Sequence, residues 1–89
     1  MSSRRDVDVA GVLVQAHHVP DLITRLHRAG YPFVADKVAR ALGTRTIHVA
    51  FGSAEREALV RAVADEPPQF SELYRVLLRE IQDRRAADL

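Results

Sequence analysis

Histidine and aspartate are the residues of this 89-residue chain with the most versatile chemistry, and several of them gather early in the sequence. His17, His18 and Asp21 form a short cluster, and His27 follows. Imidazole and carboxylate groups can bind zinc or transfer protons. On an extended segment, however, adjacent side chains point to opposite sides and do not easily share one metal ion. The cluster therefore predicts a solvent-exposed polar connector, and we expect no metal and no cofactor.

Catalytic patterns are scarce in the rest of the chain. The sequence has no cysteine, which excludes disulfides, thiolate zinc sites and a cysteine nucleophile. No serine lies in a nucleophile-elbow pattern, and no glycine-rich phosphate loop is present. His48 fits either a cross-strand pair with Asp8 or a catalytic role. Because no set of nucleophile, base and orienting group is recognisable, we expect a protein that is not an enzyme.

The charge balance gives no general footprint for nucleic-acid binding. Thirteen basic residues stand against twelve acidic ones, and the net charge is +1. One segment is more suggestive, because Ala39-x-x-Leu42-Gly43 resembles the first helix and turn of helix-turn-helix proteins. That resemblance implies a small DNA-binding transcriptional regulator with a degenerate helix-turn-helix around residues 33–51. Arg40 and Arg45 would contact phosphates, and we keep this function as the alternative.

Tyr31, Pro32 and Phe33 place two aromatic side chains beside a proline, at the tip of a predicted helical hairpin. Exposed aromatic residues at such a tip are typical anchors of protein–protein contacts. The leading prediction is therefore a non-catalytic protein–protein interaction or regulatory module. Its partner would be another protein or a second copy of the chain, bound through this tip, the edge of a strand, or spare apolar surface on the last helix.

The hydrophobic pattern predicts an α+β fold with the element order β-α-α-β-α-α. Val7–Val14 is interpreted as a strand with a bulge at Gly11, or alternatively as a short helix. Thr46–Phe51 alternates and predicts the second strand. The four helices follow from apolar residues at 3.6-residue spacing, and Ser53 is the predicted N-cap of the third. The expected apolar positions are Leu22, Ile23 and Leu26; Val34, Val38, Ala41 and Leu42; Leu59, Val60 and Val63; and Phe70, Leu73, Tyr74, Leu77, Leu78 and Ile81.

These elements predict one compact domain in which four short helices cover a two-stranded ribbon. Residues 1–6 are expected to be a flexible tail, 7–86 the globular domain and 87–89 a frayed end. The two halves of the chain repeat the same apolar spacing, which indicates either an internal pseudo-repeat or a coincidence of amphipathic segments. No apolar run approaches the length of a membrane span or a signal peptide, so we expect a cytoplasmic protein with no membrane partner.

The C-terminal half carries one further pattern. It consists of Val49–Leu59, the Pro67-Pro68 pair and the leucine-rich last helix, and it resembles small uncharacterised proteins of actinobacteria. The strong preference for arginine over lysine agrees with a GC-rich bacterial genome. The resemblance implies no particular function.

Overall fold

The computed structural model describes residues 6–43 and 49–87. Within these ranges, two β-strands come first and four α-helices follow, with one 3-10 turn before the first helix and one before the last. The elements are β1 (Asp6–Val9), β2 (Val12–Gln15), a 3-10 turn (Ala16–His18), α1 (Val19–Arg28), α2 (Pro32–Gly43), α3 (Ser53–Ala62), a second 3-10 turn (Pro68–Phe70) and α4 (Ser71–Ala87). The predicted α+β class, with a two-stranded sheet and four helices, is confirmed for the described residues.

The first apolar segment is a β-hairpin, whereas the sequence predicted a single strand with a bulge. β1 and β2 are antiparallel, with Val9 opposite Val12. Ala10 and Gly11 form a two-residue turn with φ values of 53° and 88°. Positive φ at both positions is the signature of a type I′ turn, which suits the twist of a hairpin. The N–H of Gly11 also donates to Oδ1 of Asp8 at 2.8 Å, which closes the turn.

The hairpin has one buried face and one outer face. Its four valines are buried against the helices, and these are Val7, Val9, Val12 and Val14. The outer face carries Asp8 opposite Leu13 and Asp6 opposite Gln15. Asp6, which the sequence analysis assigned to the tail, is thus the first residue of β1.

The second predicted strand, Thr46–Phe51, lies half outside the described residues, and the half inside them has no strand. The carbonyl groups of this segment accept hydrogen bonds from side chains rather than from a neighbouring strand. Lys37 Nζ donates to the carbonyl of Ala50 at 3.2 Å. Arg56 Nε donates to the carbonyl of Phe51 at 3.2 Å. Among the described residues the element order is therefore β-β-α-α-α-α, which differs from the predicted order β-α-α-β-α-α.

This element order bears on the internal repeat, which the sequence analysis gave as one of two interpretations. Its two strands were expected to pair across the halves, but β1 and β2 both belong to the first half. The helices keep an equivalent pattern, because Leu22 and Leu26 of α1 are fully buried, as are Leu59 and Val63 at the corresponding positions of the second half. A repeat confined to the two helix pairs stays a prediction.

The core is formed by the buried hairpin face and one side of each helix. Phe70, Leu73 and Leu77 are fully buried, as the spacing of the last helix predicted. Tyr74, Leu78 and Ile81 are half-buried at its margin. Leu42, predicted on the buried side of α2, is exposed. It lies in the last turn of α2, where burial depends on which elements pack against the end of the helix. The last six residues of α4 are exposed, and Ala87, expected in the frayed end, closes the helix.

Candidate functional site

Tyr31 connects α1 to α2 and is held by both its backbone and its side chain. The N–H of Gly30 donates to the carbonyl of His27 at 3.1 Å, and the N–H of Tyr31 donates to that of Leu26 at 2.9 Å. These two bonds form a Schellman motif, which requires the left-handed backbone that Gly30 adopts at φ 89°. The Tyr31 hydroxyl accepts a hydrogen bond from Nη1 of Arg61 in α3 at 3.1 Å. This bond raises the pKa of the Arg61 guanidinium.

Phe33 has the most exposed large hydrophobic side chain of the described residues, at 83%. It lies in the first turn of α2, which buries Val34 and Val38. At 100° per residue, Phe33 is on the side of the helix that faces away from the core. Asp36 and Arg40, three and seven positions further on, share this outward side and are exposed.

The predicted contact residues are therefore neighbours with different environments. Tyr31 is half-buried and bonded, Pro32 is exposed at the first position of α2, and Phe33 is almost fully exposed. Sequence reasoning predicted a patch of two aromatic side chains. The structure leaves Phe33 as the aromatic side chain of this tip that is free to contact another molecule. That it makes such a contact stays a prediction.

A charged cluster attaches α2 to the start of α3. Lys37 Nζ lies 2.5 Å from Oε2 of Glu55, and Oε1 of Glu55 accepts the N–H of Gly52 at 2.7 Å. Gly52 is thus the N-cap of α3, and Ser53, the predicted N-cap, is its first helical residue. The hydrogen bond from Lys37, and next the one from Gly52, lowers the pKa of Glu55 below its ordinary value of 4.5.

The variant Glu55→Gln should lower the free energy of unfolding by about 1 kcal/mol at pH 7. Because the folded-state pKa of Glu55 is depressed, its ionic contribution is fully present above the unfolded-state pKa and is lost as the pH falls through the folded-state pKa. Urea unfolding at pH 7 and at about pH 3 should therefore show a difference from wild type that shrinks in acid. Asp83→Asn, an exposed charge removal on α4, is the control. A difference of equal size at both pH values would contradict the prediction.

The paired histidines do not lie on an extended segment, and that premise of the sequence analysis is wrong. His17 and His18 belong to a 3-10 turn, and their ring centroids are 3.9 Å apart. His18 also contacts Phe70 in an edge-on arrangement, with 6.2 Å between ring centroids. Across residues 6–43 and 49–87, no three His, Cys, Asp or Glu side chains are grouped as metal ligands.

Asp21, the carboxylate of this cluster, serves the packing of α1. Its Oδ2 accepts hydrogen bonds from Arg25 Nε at 3.3 Å and from Gln69 Nε2 at 3.1 Å. Nη1 of Arg25 lies 2.7 Å from Oδ1 of Asp65. The network joins α1 to the connection between α3 and α4, so a structural role accounts for Asp21.

The residues of the DNA-binding alternative are only partly described. Arg40 is exposed in the last turn of α2, whereas Arg45 and His48 lie outside the described residues. The expected cross-strand pair between His48 and Asp8 also falls outside the described residues, because His48 does. Among the described residues, the helix that follows α2 begins at Ser53, and residues 44–48 between the two helices lie outside that part of the chain. DNA binding stays a prediction.

A small cavity of about 170 Å³ lies between α3 and α4. Its walls are joined by three contacts: Arg56 with Glu80, Arg84 with the Ser53 hydroxyl, and Arg85 with Glu57 at 3.2 Å. Because these groups already bind one another, we interpret the cavity as part of the polar interface that joins the two helices.

A groove of about 340 Å³ runs between β2 and the start of α4. One side is strand β2, and the other is formed by Pro68 and the residues that follow, including Glu72, Leu73 and Arg75. Sequence reasoning missed this groove because it interpreted the hairpin as one strand. The signal was Ala10-Gly11 between two runs of alternating valine, a pattern that places a turn where a bulge was predicted.

No protein-family model, curated protein or solved structure matches this chain. The resemblance to small actinobacterial proteins stays a prediction. Within the described ranges, no helix has both the length and the apolar composition needed to cross a bilayer. A function must therefore be argued from the surfaces themselves.

Proposed function

We propose that this chain is a non-catalytic protein–protein interaction module, and that a partner protein binds it through Phe33. The observation that carries the proposal is the 83% exposure of Phe33 in the first turn of a packed helix. Burying a phenylalanine side chain contributes about 1.5–3 kcal/mol relative to leaving it in water. A single aromatic anchor of this kind often dominates an interface.

Support for the proposal also comes from the rigidity around Phe33. Tyr31, two residues before it, is fixed to α1 and to Arg61. Lys37, one turn after it, is fixed to Glu55. Association costs free energy when mobile side chains and loops must be ordered, and a pre-organised anchor reduces that cost.

The surroundings of Phe33 define the chemistry of the partner. Asp36 and Arg40 lie on the same outward side of α2, so the ring is followed by one negative and one positive charge. The complementary surface is an apolar pocket for the ring, bordered by a basic and then an acidic group. Electrostatic complementarity of this kind fixes the orientation and register of a complex.

The test is site-specific photo-crosslinking in cells that make the chain naturally. A photoreactive phenylalanine analogue at position 33 should crosslink to a discrete partner, whereas the same analogue at exposed position 79 of α4 should not. Excess purified wild-type protein should compete for the crosslink, and Phe33→Ser should compete at least about tenfold less well. Equal competition by wild type and Phe33→Ser, or identical adducts from positions 33 and 79, would contradict the proposal.

A further inference from the structure

Strand β2 has none of the sequence features that commonly protect the edge of a sheet. Natural edge strands carry charges, proline or a bulge, which prevent another strand from pairing with them. β1 has two aspartates, Asp6 and Asp8, among its four residues. β2 reads Val-Leu-Val-Gln, with neither a charge nor a proline. Its side chain at Leu13 is 64% exposed on the outer face of the hairpin.

The register of the hairpin fixes which backbone groups of β2 point outward. A two-residue turn makes the flanking pair, Val9 and Val12, a hydrogen-bonded pair, and the alternation makes Val7 and Val14 the next one. Leu13 therefore has its N–H and carbonyl directed away from β1. Apart from the strand ladder and the helices, no backbone hydrogen bond among the described residues involves Leu13.

Gln15 continues this outward row of backbone groups. Its N–H points the same way as that of Leu13 because the two residues are two positions apart. Its carbonyl accepts the first bond of the following 3-10 turn, since Gln15 is the N-cap of that turn. A carbonyl oxygen has two lone pairs and can accept a second hydrogen bond.

Among the residues that the structure describes, the space beside this edge is open. The groove of about 340 Å³ follows β2 along all four of its residues. Glu72 and Arg75 contribute one charge of each sign to the groove. An extended strand that enters the groove can reach the outward N–H and carbonyl groups of Leu13.

We infer that β2 is a self-association edge, where a second copy of this chain adds its own β2 antiparallel to form a four-stranded sheet. A two-fold axis at Val14 places Leu13 of each copy opposite Gln15 of the other. The N–H of Gln15 then donates to the carbonyl of Leu13 in both directions. The N–H of Leu13 meets the free lone pair of the Gln15 carbonyl.

Charge and sheet size favour a second copy as the occupant. Because β2 is uncharged, pairing it with itself brings no like charges together, and a two-fold axis can set Glu72 of one copy against Arg75 of the other. Isologous contacts of this kind are the commonest basis of soluble homodimers. A two-stranded sheet is marginal alone, and four strands are a more stable unit.

This edge is a different surface from Phe33, so the inference goes beyond the proposed function. The contact is small, because four residues of each strand contribute to it. We therefore expect reversible association in the micromolar range rather than a permanent dimer.

Sedimentation velocity over a concentration series tests the inference. Wild type should shift from monomer to dimer, and Leu13→Lys should weaken the association at least about tenfold, because a lysine protects a strand edge. Gln82→Lys adds the same charge at an exposed position of α4 and should associate like wild type. Circular dichroism checks that both variants are folded. A wild type that stays monomeric up to about 1 mM would overturn the inference. A dimer retained in Leu13→Lys would also overturn the inference, and so would a dimer lost equally in Leu13→Lys and Gln82→Lys.

A disulfide test examines the position of the axis. The chain has no cysteine, so a single substitution gives an unambiguous readout. At an axis through Val14, the two Val14 Cα atoms would lie about 4.5–5.5 Å apart, a separation that suits a disulfide. Oxidised Val14→Cys should form a covalent dimer at concentrations where exposed Ala29→Cys does not. Equal crosslinking of the two variants would overturn the placement of the axis.

The two surfaces can be separated experimentally. Phe33→Ser should dimerise like wild type. Leu13→Lys should still give the crosslink from position 33. A Phe33→Ser variant that no longer dimerises would place self-association on α2 and overturn the assignment to β2.

Discussion

Replacing Phe70 by alanine should lower the free energy of unfolding by about 3–5 kcal/mol. Phe70 is fully buried and is among the largest such side chains of the protein. The ring contacts His18 at its edge and lies under Arg25, whose guanidinium carbon is 5.8 Å from the ring centroid. Truncation leaves a cavity at the junction of the first 3-10 turn, α1 and α4. Small domains have about 5–15 kcal/mol of stability in total, so this substitution should remove a large share of it.

The measurement is urea unfolding followed by circular dichroism at 222 nm, a probe of helix content. Phe70→Leu keeps most of the buried volume and should cost about 1–2 kcal/mol, which gives a folded reference if the alanine variant is unfolded. Phe33→Ala is the matched control. The same atoms are removed from a side chain that is 83% exposed, so a change within about 0.5 kcal/mol is expected. Similar losses of unfolding free energy in Phe70→Ala and Phe33→Ala would contradict the burial of Phe70 and the exposure of Phe33.

Leu77→Ala should cost about 2–5 kcal/mol, whereas Leu78→Ala on the next position of the same helix should cost about 1 kcal/mol or less. Leu77 is fully buried, and Leu78 is half-buried at the margin of the core. Both substitutions replace leucine by alanine within α4 and change helix propensity equally. The difference between the two variants therefore measures burial alone.

Thermal unfolding of the two variants gives an independent readout. For a domain of this size, each kcal/mol shifts the Tm by about 4–8 °C. Leu77→Ala should therefore melt well below Leu78→Ala. If the order were reversed, α4 would pack through a different side from the one described.

The helices were predictable because each depends on a local repeat of apolar side chains. Phe70, Leu73 and Leu77 recur at helical spacing, and the structure buries all three fully. The margins of each apolar stripe were less predictable. Leu42 fits the periodicity of α2 but is exposed, because burial at the end of a helix depends on which elements pack there.

The hairpin could not be assigned with the usual signals of turn chemistry. Two-residue hairpin turns normally contain Asn-Gly or Asp-Gly, because both residues need positive φ. Here an alanine takes the first position at φ 53°, a conformation that residues with a Cβ adopt infrequently. The alternating valines on both sides were the better indication, since the alternation shifts by one position between Val9 and Val12, as a two-residue turn requires.

The candidate sites required three-dimensional information for a similar reason. Sequence alone placed Tyr31 and Phe33 together at a tip, but the hydrogen bond that ties Tyr31 to Arg61 joins residues thirty positions apart. The edge of β2 became visible only with the register of the hairpin. Long-range partners and strand phase are set by tertiary packing, which local patterns do not encode.

The outward position of Phe33 has a consequence for how this protein can evolve. A side chain that contributes almost nothing to the core can be exchanged without loss of foldability, while the exchange alters what the surface recognises. Under the proposed function, partner specificity and folding are therefore encoded by separate residues in α2. Lineages that inherit this scaffold would then change partners through one codon and keep the same architecture.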